Sequence, residues 1–73
     1  MTFYHNGTRH AAIVTIRVVL VKDPKAVISM GTPSTMKTHG LDQGIHDLLV
    51  EPGGSIELMP DVEAEFISAR GAL

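Results

Sequence analysis

Residues 12–21 read AIVTIRVVLV, and this run limits what the chain can fold into more than any other segment. Val, Ile and Thr crowd the preceding turn of a helix but fit a pleated surface well. Strand alternation puts Val14, Ile16, Val18 and Leu20 on one face. Ile13, Thr15, Arg17, Val19 and Val21 then share the other, with the polar residues in the middle. The first face is wholly apolar and the second partly so. Such a strand is expected to be covered on both sides, by its own domain or by a neighbour.

The chain has 73 residues, which suits a single domain spanning 1–73. A domain of this size buries only ~60% of the surface that its unfolded chain exposes. Small domains compensate with disulfides, a metal or association. There is no cysteine, which removes disulfides and thiolate metal sites. The second face of the long strand therefore points toward a homo-oligomer, and Ile13, Thr15, Arg17, Val19 and Val21 are its expected interface.

Charge and hydropathy narrow the partners. The formal net charge is −2, and Arg9, Arg17, Lys22, Lys25, Lys37 and Arg70 are scattered rather than clustered. Nucleic-acid binding needs a basic surface against the phosphates, so no nucleic-acid partner is expected. The longest apolar run near the strand's end, Val18-Val19-Leu20-Val21, is far short of the ~20 residues of a membrane span. The segment MTFYHNGTRH lacks the charged-then-apolar pattern of a secretion signal. The expectation is a protein with no membrane partner.

Turn signals divide the rest. Asn6-Gly7 suits a two-residue hairpin turn pairing residues 2–4 with 11–13. Asp23-Pro24 suits a second hairpin, VVLVK against KAVIS. Residues 31–44, GTPSTMKTHGLDQG, show no periodicity and read as a long loop of the kind a partner orders, with one helical turn allowed near 35–37. Met36, Lys37 and His39 in this loop join the expected interface. Residues 45–50 and 55–59 read as two strands turned by Pro52-Gly53-Gly54.

The C-terminal segment DVEAEFISARGAL predicts a helix over 61–70. Val62, Phe66 and Ala69 recur at helical spacing, and Ile67 widens the stripe. Asp61 sits at an N-cap position, Glu63 and Glu65 in the first turns, Arg70 in the last, and Gly71 where a left-handed glycine ends a helix. Leu73 would fold back over the last turn. Phe66 buried under this helix would cost ~3–5 kcal/mol on truncation to alanine. The expected fold is α+β: a small antiparallel sheet or partial barrel with one short C-terminal helix.

Residues Pro52, Gly53, Ile56, Glu57, Leu58, Pro60, Ile67, Gly71 and Ala72 form a pattern that resembles the C-terminal signature of small tailed-phage virion accessory proteins. Two departures stand out: Met59 lengthens the Leu58-to-Pro60 spacing, and Ala64 precedes Phe66-Ile67 where a Leu-Ile pair is usual. The resemblance implies a capsid-decoration or head–tail protein, found in a virion or in host cytoplasm, whose partners are itself or a capsid or head–tail protein. Leu41-Asp42-Gln43-Gly44 and the strands after it also resemble the ring-forming, tryptophan-activated RNA-binding attenuation protein. Glu57 stands where that likeness would want a lysine to touch RNA.

No chemistry is legible beside these patterns. Ser29, Ser34, Ser55 and Ser68 lie in no nucleophile elbow. His5, His10, His39 and His46 lack metal-ligand spacing. Glu63 and Glu65, two apart, do not face each other on a helix. The reading is a non-enzymatic structural or assembly protein with no catalytic residue, metal or cofactor. The alternative is a small regulatory or inhibitory protein binding one host protein.

Overall fold

Among the described residues seven strands account for the regular structure, and their order in space differs from their order in sequence. The computed structural model describes residues 2–72. The strands are β1 (Thr2–His5), β2 (Ala12–Leu20), β3 (Ile28–Gly31), β4 (Lys37–His39), β5 (Gly44–Val50), β6 (Ser55–Leu58) and β7 (Glu63–Gly71). They form two antiparallel sheets, β1-β6-β3-β4 and β5-β2-β7. Only β3 and β4 are consecutive neighbours in one sheet; every other connection crosses from one sheet to the other.

The inner faces of the two sheets make the core. Val14, Ile16 and Val18 of β2 and Leu48 and Val50 of β5 meet Ile28 of β3, Ile56 of β6 and the adjacent Val27. Tyr4 of β1 and Phe66 of β7 close one side, their rings stacked 6.0 Å apart at 14°. The outer face of the four-stranded sheet is polar, carrying Thr2, His5, Ser29, Thr38, Ser55 and Glu57 in register. That alternation is what a sheet solvated on one side requires.

The domain is all-β, and the helix expected over 61–70 is absent. Met59, Pro60, Asp61 and Val62 form a turn closed by the Val62 amide donating to the Met59 carbonyl at 3.3 Å. Asp61 has φ +65°, the left-handed conformation that the third position of a type II turn takes after proline. An N-cap residue is extended, so this geometry excludes the capping role. The chain leaves the turn as β7 and pairs along β2, from Leu20 opposite Glu63 to Ala12 opposite Gly71. Pairing shifts between Ser68 and Phe66, leaving Ile67 as a bulge. This bulge explains the imperfect alternation of the segment: Ala64 and Phe66 point inward before it, and Ala69 after it. Phe66 is 50% exposed on this edge strand rather than buried. Gly71 is not in a left-handed conformation and ends no helix. Leu73 lies outside the described residues.

Three expected hairpins are arches between sheets. β1 pairs with β6, not β2. Asn6-Gly7 therefore opens a crossing, and neither residue has positive φ. At Asp23-Pro24 the turn forms as read, with the Lys25 amide on Asp23 Oδ1 at 3.0 Å and the Ala26 amide on the Asp23 carbonyl at 3.1 Å. It joins β2 to β3 across the sandwich. The Pro52-Gly53 turn is closed by the Gly54 amide on the Glu51 carbonyl at 2.8 Å, with Gly53 at φ +76°, and it joins β5 to β6 across the same gap.

The segment 31–44 is not one long loop. Its middle is β4, which pairs Lys37 with Met30, Thr38 with Ser29 and His39 with Ile28. The β-turn lies at 32–35, where the Thr35 amide donates to the Thr32 carbonyl at 3.0 Å, and 35–37 runs from it into the strand without a helical turn. Gly31 holds φ +139°, and a Cβ there would lie 2.7 Å from the Thr35 carbonyl oxygen. Among the described residues no helix is long and apolar enough to cross a membrane.

Candidate assembly surface

The outer face of β5-β2-β7 is where the sequence and structure leave apolar surface uncovered. Opposite residues of antiparallel strands share a face, so the register orders this surface in rows. Leu49, Ile13 and Arg70 make one row; Asp47, Thr15 and Ser68 the next; Ile45, Arg17 and Glu65 the third. Leu49 is 62% exposed and Ile45 60%, with Val19 and Ile67 also exposed. Gln43 Nε2 donates to the Val19 carbonyl at 3.0 Å and ties the start of β5 to the end of β2.

The charged groups of this face are matched within it. Thr15 Oγ1 donates to Asp47 Oδ1 at 2.5 Å, and Arg70 donates to Thr15 Oγ1 at 3.3 Å while lying 3.8 Å from Asp47. Arg17 meets Glu65 at 3.4 Å. Exposed pairs of this kind add only ~0–1 kcal/mol each to stability. Their effect here is on what the face can be covered by. Two arginines and two carboxylates cancel, so burial of the face leaves no unmatched charge, which would be costly.

Four of the residues expected at an interface, Ile13, Thr15, Arg17 and Val19, lie together on this face. Val21 does not. The register shifts between Val18 and Leu20, so the alternation slips by one residue. Val21 then packs against the core, and Leu20, expected inside, is 51% exposed. Met36, Lys37 and His39 belong to the edge of the other sheet. Of these, Lys37 comes nearest, lining a cleft of about 310 Å³ with Leu49, Met30, Thr35 and Glu51.

Ile45, Asp47, Leu49, Ile67 and Arg70 were not legible as part of the surface. One signal was available for β5. In IHDLLV, Ile45 and Leu49 oppose Leu48 and Val50, so that strand too is apolar on both faces. The edges of both sheets are also open among the described residues: β1 and β4 in one, β5 and β7 in the other. The nine-residue β7 is the longest of these edges.

The structural residues read from sequence divide by role. Asn6 is fully buried and hydrogen-bonded, and Pro52 and Gly53 make their turn. Gly7 supplies no special backbone conformation. The histidines are dispersed: His5 Nδ1 lies 2.8 Å from Ser55 Oγ, and His46 Nε2 lies 2.7 Å from the Asp42 carbonyl. No known protein family, curated protein or solved structure matches this chain.

Proposed function

We propose that this chain is a non-enzymatic structural subunit that assembles with copies of itself through the three-stranded sheet. The observation that carries this reading is the outer face of β5-β2-β7, apolar at Ile45, Leu49, Ile13 and Val19 and internally balanced in charge. These apolar side chains lie on either side of the polar row Asp47, Thr15 and Ser68, and exposed apolar surface set among polar groups supports an interaction site. The open edges of β5 and β7 add a second means of contact, because an unpaired strand edge templates another strand.

On the tail signature we read the setting as a tailed-phage virion, with the subunit decorating the capsid or sitting at the head–tail junction. The ring-forming likeness is supported by one observation of its own: the tail is strand β7 in an all-β sandwich, not a helix. Both likenesses lead to a self-associating β subunit. The alternative is a regulatory protein that covers the same face with one host protein.

Replacing Ile45 and Leu49 together with glutamate tests the surface. Both side chains are mostly exposed in the single chain, so the monomer's stability should change by no more than about 1 kcal/mol. The native mass, read by sedimentation, should fall to that of a single chain. A double variant that keeps the wild-type mass would remove this face from the interface.

A further inference from the structure

Asn6 is the only fully buried polar residue among the described residues, and it precedes Gly7. In a flexible chain such a pair is chemically labile. The Gly7 backbone nitrogen attacks Asn6 Cγ, the Cγ–Nδ2 bond breaks, and ammonia leaves with the proton that the nitrogen gives up. The product is a cyclic imide. Water then opens one of its two carbonyl–nitrogen bonds, leaving either aspartate or isoaspartate, whose main chain runs through the side-chain carbon. Glycine favours the attack because it puts no side chain beside the nucleophile.

The fold withholds this reaction. Asn6 Nδ2 donates to the carbonyls of His10 at 2.8 Å, Val50 at 3.0 Å and Glu51 at 3.3 Å. Its Oδ1 accepts from the Thr8 amide at 3.0 Å and from Thr8 Oγ1 at 2.6 Å. Ring closure requires the carboxamide to leave all of these partners, and hydrolysis requires water at a side chain that the fold buries completely. The product also cannot return to this place. Aspartate puts a carboxylate against three carbonyl oxygens at a fully buried position, the uncompensated case. Isoaspartate lengthens the main chain where the Asn6 amide and carbonyl hold Gly54 and Gly53, each at 2.9 Å.

We propose that Asn6-Gly7 is a self-modification site gated by folding. It is inert in the folded domain, converts in the unfolded chain, and once converted blocks refolding. A chain that stays unfolded is thereby retired from assembly.

The test incubates the full chain at mildly alkaline pH, folded and in urea, and follows the amide of residue 6 by peptide mass mapping. Conversion of the folded chain should be slower by its unfolded fraction, roughly a thousandfold or more. After dilution from urea, unconverted chains should recover their native circular dichroism and converted chains should not. Gly7→Ala provides the control. Its Cβ would meet only His5 Cδ2, at 3.8 Å, so the variant should fold normally and keep its amide longer in urea. Folded and unfolded rates within about tenfold of each other, against that expected protection, would overturn the proposal. So would converted chains that refold with an unchanged urea midpoint, or a Gly7→Ala chain that converts in urea as fast as wild type.

Discussion

Replacing Asn6 with alanine is expected to cost about 3–5 kcal/mol, enough to unfold most of a domain whose total stability is of the order of 5 kcal/mol. The effect follows from where Asn6 sits. Its side chain joins two arches at one end of the sandwich, the segment after β1 and the turn between β5 and β6. Two amide hydrogens serve three carbonyls, of which the Glu51 contact is longest. Alanine leaves the buried Val50 carbonyl contact unmade and opens space that water cannot fill well, and each unsatisfied buried group costs ~1–3 kcal/mol. The backbone bonds of residue 6 to Gly53 and Gly54 lose their support at the same time. Urea denaturation monitored by circular dichroism reads the change. A loss below about 1 kcal/mol would show that the arches hold without the carboxamide.

Two apolar truncations should separate sharply. Ile16 is fully buried on the central strand of its sheet and lies in the main core cluster. Ile16→Ala should cost about 2–5 kcal/mol, the transfer loss plus the cavity left behind. Phe66, opposite it on β7, is 50% exposed. Phe66→Ala loses partial burial and the stack on Tyr4, together about 1–2 kcal/mol. The same denaturation measurement ranks them. If Phe66→Ala cost as much as Ile16→Ala, the C-terminal segment would be seated in the core, as the helical reading required, and not on an edge strand.

The strands of this fold were legible where the chain is strongly patterned. Residues 12–20 and 44–50 carry enough β-branched and alternating apolar positions to identify themselves. Strand β4 did not, because three residues with Lys37 and Thr38 on an edge leave no period to read. The segment 63–71 misled for a definite reason. A single bulge at Ile67 breaks the two-residue alternation, and Val62, Phe66 and Ala69 then mimic helical spacing. Acidic residues followed by an arginine and a glycine fit a capped helix equally well, but β2 offered a nine-residue edge to pair with, and tertiary pairing outweighed local preference.

The turn residues mark where the chain reverses but carry no direction. Asp23-Pro24 and Pro52-Gly53 reverse the chain as their residues require. Whether the returning strand lies beside its predecessor or across from it depends on which faces must be buried, and that is set by the whole core. Asn6-Gly7 shows the same limit more strongly, since the asparagine serves as a buried hydrogen-bond hub and the glycine needs no unusual backbone angle. Of the surface, the β2 residues are legible because their second face is partly apolar. Val21 leaves this face because the register shifts after Val18, and the bulge in β7 hides its residues behind helical spacing.

The most direct test of the assembly account is the solution mass of the purified chain, measured by light scattering across a dilution series. The account predicts a defined species well above the 7.8 kDa of one chain, dissociating only at low concentration. A folded monomer at every concentration would contradict it.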